Sequence, residues 1–428
     1  MKRKGGEPSI LQGENEIHTA KEVIMNGKKI FCCLLFLFCV SLISFGYNVN
    51  AASTIDIGFT GPFTGPVAFN GGEMRKGAML AVDEINAKGG LFGTKVNVVF
   101  GDDESQPQKG VAAVKKLISR DKVLVVGGGY HSSVAIATSE VCEREKTPNV
   151  IAVAVSPTIM AKGYSYIFRT APDAFQMTDG LFAWLAVRKP KTVAFLMENS
   201  DYGRDSEKIW LAEAKKLGAS DLAHLYFQIG DADFTTQISK LKSLKPEVTF
   251  SIGSTTEEAL ITKQSKELNY VTQWVGAGGH MTEEFFKMVG LDSLYIIAGS
   301  NEPTLAMKDP VTAAFVKAYT AKYDGARAGV FSSQGYDNMV VVLDAIKRAG
   351  KPSGDLQKDR DAIRGALTKT SLNASQGLIQ FDKTGQITKA RSMAVQVQKV
   401  QGKAQLVVIY PTELAAGVYQ PPVPWSER

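Results

Sequence analysis

Cysteine is nearly missing where it would matter. The 428-residue chain has four, of which Cys32, Cys33 and Cys39 share one apolar run near the start, leaving Cys142 alone in the remainder. That remainder has no intramolecular disulfide available and must be held together by burial. Histidine is equally scarce, with four in all. His224 and His280 stand in no HExxH or Cys/His spacing, so no metal site is expected. The triplet Gly127-Gly128-Gly129 does not complete a GxGxxG fingerprint, and neither GxxxxGK[ST] nor GxSxG occurs. These absences remove the common signals for dinucleotide, nucleoside triphosphate and α/β-hydrolase chemistry, and no cofactor is called for. Asp102 and Asp103 sit side by side after a strand-like run, but such a pair without a defined partner is more often a turn or cap than a catalytic dyad.

Excess charge of one sign is also lacking. Of 49 Lys and Arg and 43 Asp and Glu, six and four respectively fall in residues 1 to 52, so the rest of the chain carries a net charge of +4. No clustered basic face of the kind that neutralises phosphates is present, which excludes a nucleic-acid partner.

What is present begins with Met25 to Ala52, MNGKKIFCCLLFLFCVSLISFGYNVNAA: a basic start, one apolar run and a small-residue exit. This is the anatomy of a secretory signal peptide, with cleavage expected after Ala51 or Ala52. The run from Ile30 to Gly46 falls short of the roughly 20 residues that span a bilayer comfortably; retention as a membrane anchor is the alternative. Phe36-Leu37-Phe38 before Cys39 lacks the small residues of a lipobox. Residues 1 to 24 carry Glu7, Glu14, Glu16 and Glu22 and no apolar period, unlike anything that precedes a signal peptide, so they read as a non-native extension with Met25 the true start. The exported part, about 375 residues, is long enough for two domains.

From Thr54 onward short apolar runs alternate with longer segments of helical period. Thr54 to Thr60 is β-like; Met74, Ala78, Ala81, Val82 and Ile85 then recur on one helical face that closes at Gly89-Gly90. Strand-like runs follow at Lys95 to Phe100 and Val123 to Val126, around a helix from Pro107 to Ser119. A second set has strands at Thr192 to Met197, Ala223 to Gln228, Val248 to Ile252 and Gln273 to Val275. The span Asp309 to Arg348 is helical in pattern, Gly377 to Gln386 a strand and turn, Ser392 to Gln398 with Gln405 to Ile409 a hairpin, and Gln420 to Arg428 a tail. Such alternation predicts two α/β units, each with a parallel sheet covered on both faces.

In open α/β sheets ligands bind beyond the carboxyl ends of the strands. After Val123 to Val126 comes GGGYHSS: the glycines allow close approach, and Ser132 and Ser133 offer hydroxyls where a helix begins, a setting suited to a carboxylate. An N-cap with no ligand accounts equally well for either serine. Ala152 to Thr158 ends in hydroxyl residues and a proline, as an ordinary strand exit also would. Glu198 to Gly203 sets Tyr202 beside a glycine, where the ring covers a ligand or packs on the rim. Ser254 to Glu257 matches a capping box, and capping is the favoured reading there.

Read together, GPFTGPVAFNGG (61 to 72), AVDEINAKGG (81 to 90), GYSYIFRT (163 to 170), Asp201-Tyr202-Gly203 and GLIQFDKTGQ (377 to 386) resemble the leucine/isoleucine/valine-binding family of type I periplasmic solute-binding proteins. The resemblance runs from Ile55 to about Ile409. It implies two Rossmann-like lobes joined by three hinge crossovers, near Ala171, Ser300 and Phe381, with lobe 1 formed by 53–171 and 301–380 and lobe 2 by 172–300 and 381–419. It further implies a periplasmic, non-enzymatic and monomeric protein that traps a small carboxylate on closure and presents it to an ABC permease. The rival is an extracellular sensing module of a signalling system. Carried over residue by residue, the carboxylate site falls on Ser132, with Ser133, Ala154 and Ser156 adding contacts, and the pocket aromatics fall on Tyr202 and Tyr336. The family's other ligand positions hold Asn70 and Ser254 in place of tyrosines, and Gly278 in place of the acid that meets an ammonium. Glu198, Asp201 or Glu302 then stand as candidates for the missing acid, or the ligand is an aromatic or aliphatic carboxylate without an amine.

Overall fold

The computed structural model describes residues 54–412 and 414–428; the expected signal peptide and the extension before it lie outside the described residues. β1 (Ile55–Gly61), β2 (Val96–Asp102), β3 (Val126–Gly128), β4 (Asn149–Ile151) and β5 (Ile167–Arg169) form a five-stranded sheet in the order β2-β1-β3-β4-β5. Every pairing in it is parallel. Ile55, Ile57 and Phe59 are all buried, as expected of a strand covered on both faces.

A second sheet takes β6 (Thr192–Glu198), β7 (Ser220–Phe227), β8 (Val248–Ile252), β9 (Gln273–Gly276) and β10 (Ile297–Ser300) in the order β7-β6-β8-β9-β10, again parallel. The winding repeats that of the first sheet, strand for strand. After the short hairpin of β11 (Ser371–Ala374) and β12 (Gly377–Gln380), the antiparallel pair β13 (Met393–Val400) and β14 (Lys403–Tyr410) extends the second sheet beyond β10.

The chain passes between the sheets three times: after β5, after β10 and before β13. The first passage ends on a reciprocal capping box, in which the Asp173 side chain accepts from Gln176 N and Gln176 caps the Asp173 N–H in return. The second ends at Asp309, whose carboxylate caps the helix Pro310–Lys322. The third falls later than the expected Phe381. The Phe381 ring packs 5.3 Å from that of Phe168, Gln386 bridges to Arg169 at the edge of the first sheet, Ile387 pairs back with Phe381 and Thr388 N donates to Gln380 O, so only Lys389 to Ser392 crosses over.

The helix Ala68–Ala87 buries Met74, Ala78, Ala81 and Val82 as its period predicts, while Ile85 is half-buried. It crosses the helix Val330–Ala349 at very short range. A Cβ on Gly77 would lie 1.8 Å from Ser332 O, and one on Gly335 2.0 Å from Met74 O, so both positions require a residue without a side chain.

Three other expectations shift. The strand expected from Ala152 ends before it, at Ile151, and Ala152 to Ala154 instead donate to the carbonyls of Gly128 and Gly129. The span Asp309 to Arg348 divides into two helices. The expected tail is docked: Trp425 Nε1 donates to Tyr270 O at 3.0 Å, Gln420 N donates to Gln396 Oε1 at 2.9 Å, and Arg428 reaches Asp292 O and Leu294 O. Cys142 is free and fully buried, and desolvation pushes its thiol up to about 12. No described helix is long and apolar enough to cross a membrane.

Candidate functional site

Two sheets wound alike each place a switch point between their first and third strands, where loops diverge and leave a crevice. In the second sheet the equivalent of β1/β3 is β6/β8. The loops after β3, β4, β6, β8 and β9 surround a cavity. From the first sheet's side come Tyr130, His131, Ser132, Val153, Ala154 and Val155, with Val330, Phe331 and Gln334 from the long helix. From the second side come Tyr202, Gly253, Ser254, Gly278, Gly279 and Met281; Met177 and Asn301 complete the wall near the passages. No Lys, Arg, Asp or Glu lines it, among the described residues.

The loop after β3 is shaped by Gly128 and Gly129, at φ +88° and +83°; a Cβ on Gly128 would sit 2.1 Å from Thr60 O. Buried Asn338 braces it, accepting from Gly128 N at 3.1 Å and donating to Val150 O at 2.8 Å. The helix Ser132–Arg144 then begins with His131 at its N-cap, and no side chain caps it. Ser132 is therefore the first helical residue rather than a cap. Its Oγ accepts from Ser156 N at 3.2 Å, which leaves the hydroxyl proton free to donate. The helix Thr255–Glu267 also opens at the cavity without a side-chain cap. Ser254 occupies its N-cap position, but its hydroxyl does not close the expected capping box. The two helix ends differ in charge: the first has no acidic residue in its first turn, and the second has Glu257 and Glu258.

Five of the nine residues expected at the site line the cavity: Ser132, Ala154, Tyr202, Ser254 and Gly278. Asn70 stands one layer back, donating to Tyr130 Oη at 2.8 Å. Ser133 Oγ accepts from Asp201 N at 3.2 Å across the cleft. Ser156 is fully buried, and its hydroxyl donates to Asp205 rather than pointing into the cavity. Tyr336 does not line the cavity: its hydroxyl donates to Glu84 at 2.9 Å and its ring packs 4.9 Å from Phe315. The aromatic on that helix that reaches the cavity is Phe331, whose ring lies 5.2 Å from Tyr130. Tyr130 and His131 sit in the GGGYHSS segment beside Ser132, and their place in that loop was the available signal.

Behind the second wall lie buried carboxylates. Glu258 accepts from Ser251 Oγ at 2.8 and 2.9 Å and lies 2.9 Å from His280 Nε2. Glu198 closes β6 with both oxygens lacking a hydrogen bond, 3.7 Å from His131 Nδ1. Burial pushes the Glu198 carboxyl up to about 7, with the Glu258 charge adding to the rise and Ser200 opposing it. Burial holds the His131 imidazole down at about 4, so it is neutral at neutral pH. Of the other acids considered for an ammonium, Glu302 faces Arg327 at 3.4 Å and Asp201 is exposed. The described residues bring no group of His, Cys, Asp and Glu together in a way that would hold a metal ion.

The periplasmic binding protein family model matches residues 54–404. A leucine-, isoleucine-, valine-, threonine- and alanine-binding protein of Pseudomonas aeruginosa is 28% identical over 349 residues, 81% of this chain and 91% of the relative. A branched-chain amino acid transporter substrate-binding protein of Streptococcus pneumoniae, solved with isoleucine, superimposes with a TM-score of 0.73 at 25% identity, covering 83% of this chain and all of that one. A solute-binding protein of an ABC transporter from R. palustris, solved with benzoate, has a TM-score of 0.75 at 20% identity over 87% of this chain and 98% of that one, a likeness of fold alone. The chain thus belongs to the periplasmic binding protein family, as a solute-binding protein and not an enzyme.

Proposed function

We propose that this chain is the periplasmic receptor of an ABC importer, each sheet with its helices forming one lobe and the three passages forming the hinge. It takes a small carboxylate with an apolar body, a branched-chain amino acid or a related amino, organic or aromatic acid, and closes on it. The observation that carries this is the pairing of an apolar wall with two unlike helix ends. The carboxylate goes to the Ser132 end, where free N–H groups and the positive dipole are unopposed, and not to the Ser254 end, where Glu257 and Glu258 already answer the dipole. Tyr202, Phe331 and Met281 then cover the apolar body. A ligand that touches both lobes favours the closed state by its differential affinity, and the permease reads the lobe geometry.

Gly278 brings no carboxylate to the cavity and Glu198 lies buried behind its wall, so amine-free acids are tested beside the amino acids. Thermal-shift measurement and calorimetry with leucine, isoleucine and valine, their amine-free counterparts and benzoate test the reading. A true ligand at 100 times its Kd stabilises the fold by about 2.7 kcal/mol. A panel in which no carboxylate raises the melting temperature would sink it.

A further inference from the structure

We infer that Asp205 is a positioning residue of the cleft, a latch across the two lobes that sets how readily the protein closes. Asp205 stands on the helix Asp201–Lys216 of the second lobe. Two hydroxyls from the first lobe converge on its Oδ2: Ser156 Oγ donates to it, and Thr158 Oγ1 donates to it at 3.1 Å. The other oxygen, Oδ1, lies 3.4 Å from Lys208 Nζ on the same helix. The Asp205 side chain is 14% exposed, so these charge-assisted bonds are shielded from most of the solvent.

The latch is joined to the cavity through a single residue. Ser156, whose hydroxyl meets Asp205, donates its backbone N–H to Ser132 Oγ, and Ser132 lines the cavity. A carboxylate held at Ser132 therefore shares a hydrogen-bonded chain with the interlobe contact: ligand, Ser132, Ser156, Asp205. Arg169 fixes the middle of that chain from the first lobe, donating to Ser156 O at 2.7 Å and Ala154 O at 3.2 Å. Beside it Ser133 Oγ accepts from Asp201 N at 3.2 Å, a second bond between the two helix starts. In the open state Asp205 is hydrated and its bonds to Ser156 and Thr158 are lost. The latch thus acts on the closing equilibrium, and the apparent affinity scales with the fraction of molecules able to close.

This inference rests on the carboxylate-binding reading above. Its test uses calorimetry and small-angle scattering with the best ligand of the carboxylate panel. Asp205→Ala is expected to weaken binding about tenfold to thirtyfold and to leave part of the ligand-saturated population expanded. Asp205→Asn, which keeps one acceptor oxygen, recovers most of the loss. Ser156→Ala weakens binding by a smaller factor, because Thr158 still donates to Asp205, and the double variant is no weaker than Asp205→Ala, since the bond that Ser156→Ala removes is already gone. The ligand-free melting temperature of Asp205→Ala stays near that of the wild type. Wild-type affinity in Asp205→Ala overturns the inference and leaves the binding reading intact. So does a fall in the ligand-free melting temperature that Asp205→Asn fails to restore. Absence of any ligand response in the wild-type protein overturns both.

Discussion

Ser132 and Tyr336, both expected at the site, have opposite surroundings in the fold. Ser132 has a hydroxyl proton to spare at an uncapped helix start, so Ser132→Ala should weaken the best ligand by about tenfold in calorimetry, and it should also cost about 1 kcal/mol of ligand-free stability because the buried Ser156 N–H loses its acceptor. Tyr336→Phe should lower stability by a similar amount, about 1 kcal/mol through the lost bond to Glu84, with unchanged affinity. Glu198 gives a pH signature. Its folded pKa of about 7 stands above the unfolded carboxylate value, so the native state holds its proton longer and stability is lost as pH rises from about 4.5 through 7. Asp103 and Asp337, raised to about 7 and 6 by burial, act in the same direction, whereas His131, lowered to about 4, loses stability as pH falls from 6.5. The difference between wild type and Glu198→Gln isolates the one group. Chemical denaturation should find the variant more stable at pH 8 by something on the order of 3 kcal/mol and the two alike at pH 4. A constant difference across that range would contradict the assignment.

At the scale of elements, the pair of glycines where the helices Ala68–Ala87 and Val330–Ala349 cross is the most sharply constrained contact. Gly77→Ala places a methyl group where Ser332 O stands, and that oxygen belongs to a helix backbone that cannot yield cheaply. Denaturant unfolding should register a loss of about 2 to 4 kcal/mol, despite alanine's better helix propensity. Gly72 on the same helix has nothing near its Cβ position, and Gly72→Ala should be neutral or slightly stabilising. Elements of this kind were also the most legible in the sequence. The apolar period of the first helix, the alternation of strands and helices, and the glycine-rich exit from β3 each follow from local rules. Phe331 and Gln334 were not legible, because they reach the cavity from a helix some 200 residues beyond the loop they meet. Tyr336 was misplaced for a related reason. Five residues after Phe331 it lies about 140° round the helix, and periodicity names a face without saying which neighbour covers it. Ser254 fitted a capping box in spelling, but Glu257 instead accepts from Gly230 N at 2.8 Å, a partner supplied by tertiary structure.

For the whole molecule, the repeated strand order means that both halves of the cavity are built by one rule while their loops differ. Legibility follows the same division: the fold is written twice in short-range pattern, whereas the site is written in the differences between the copies. The C-terminal segment binds the assembly back to the second sheet. Removing residues 420–428 strips Trp425 from Tyr270 and Arg428 from the carbonyls of Asp292 and Leu294. That loss should lower the melting temperature by a few degrees, for about 2 kcal/mol of lost contacts, with ligand affinity preserved. A truncated protein that melts as the full chain does would return the segment to the status of a tail.

The buried Cys142 has a practical consequence. A thiol at about 12 and out of reach of solvent does not react with maleimides under native conditions, so a chain starting at Ala52 is chemically silent toward them. One new surface cysteine on each lobe would then be the sole point of attachment for a fluorophore. The separation of two such dyes would report directly, one molecule at a time, whether the lobes close on a ligand, without any cysteine having to be removed from the core.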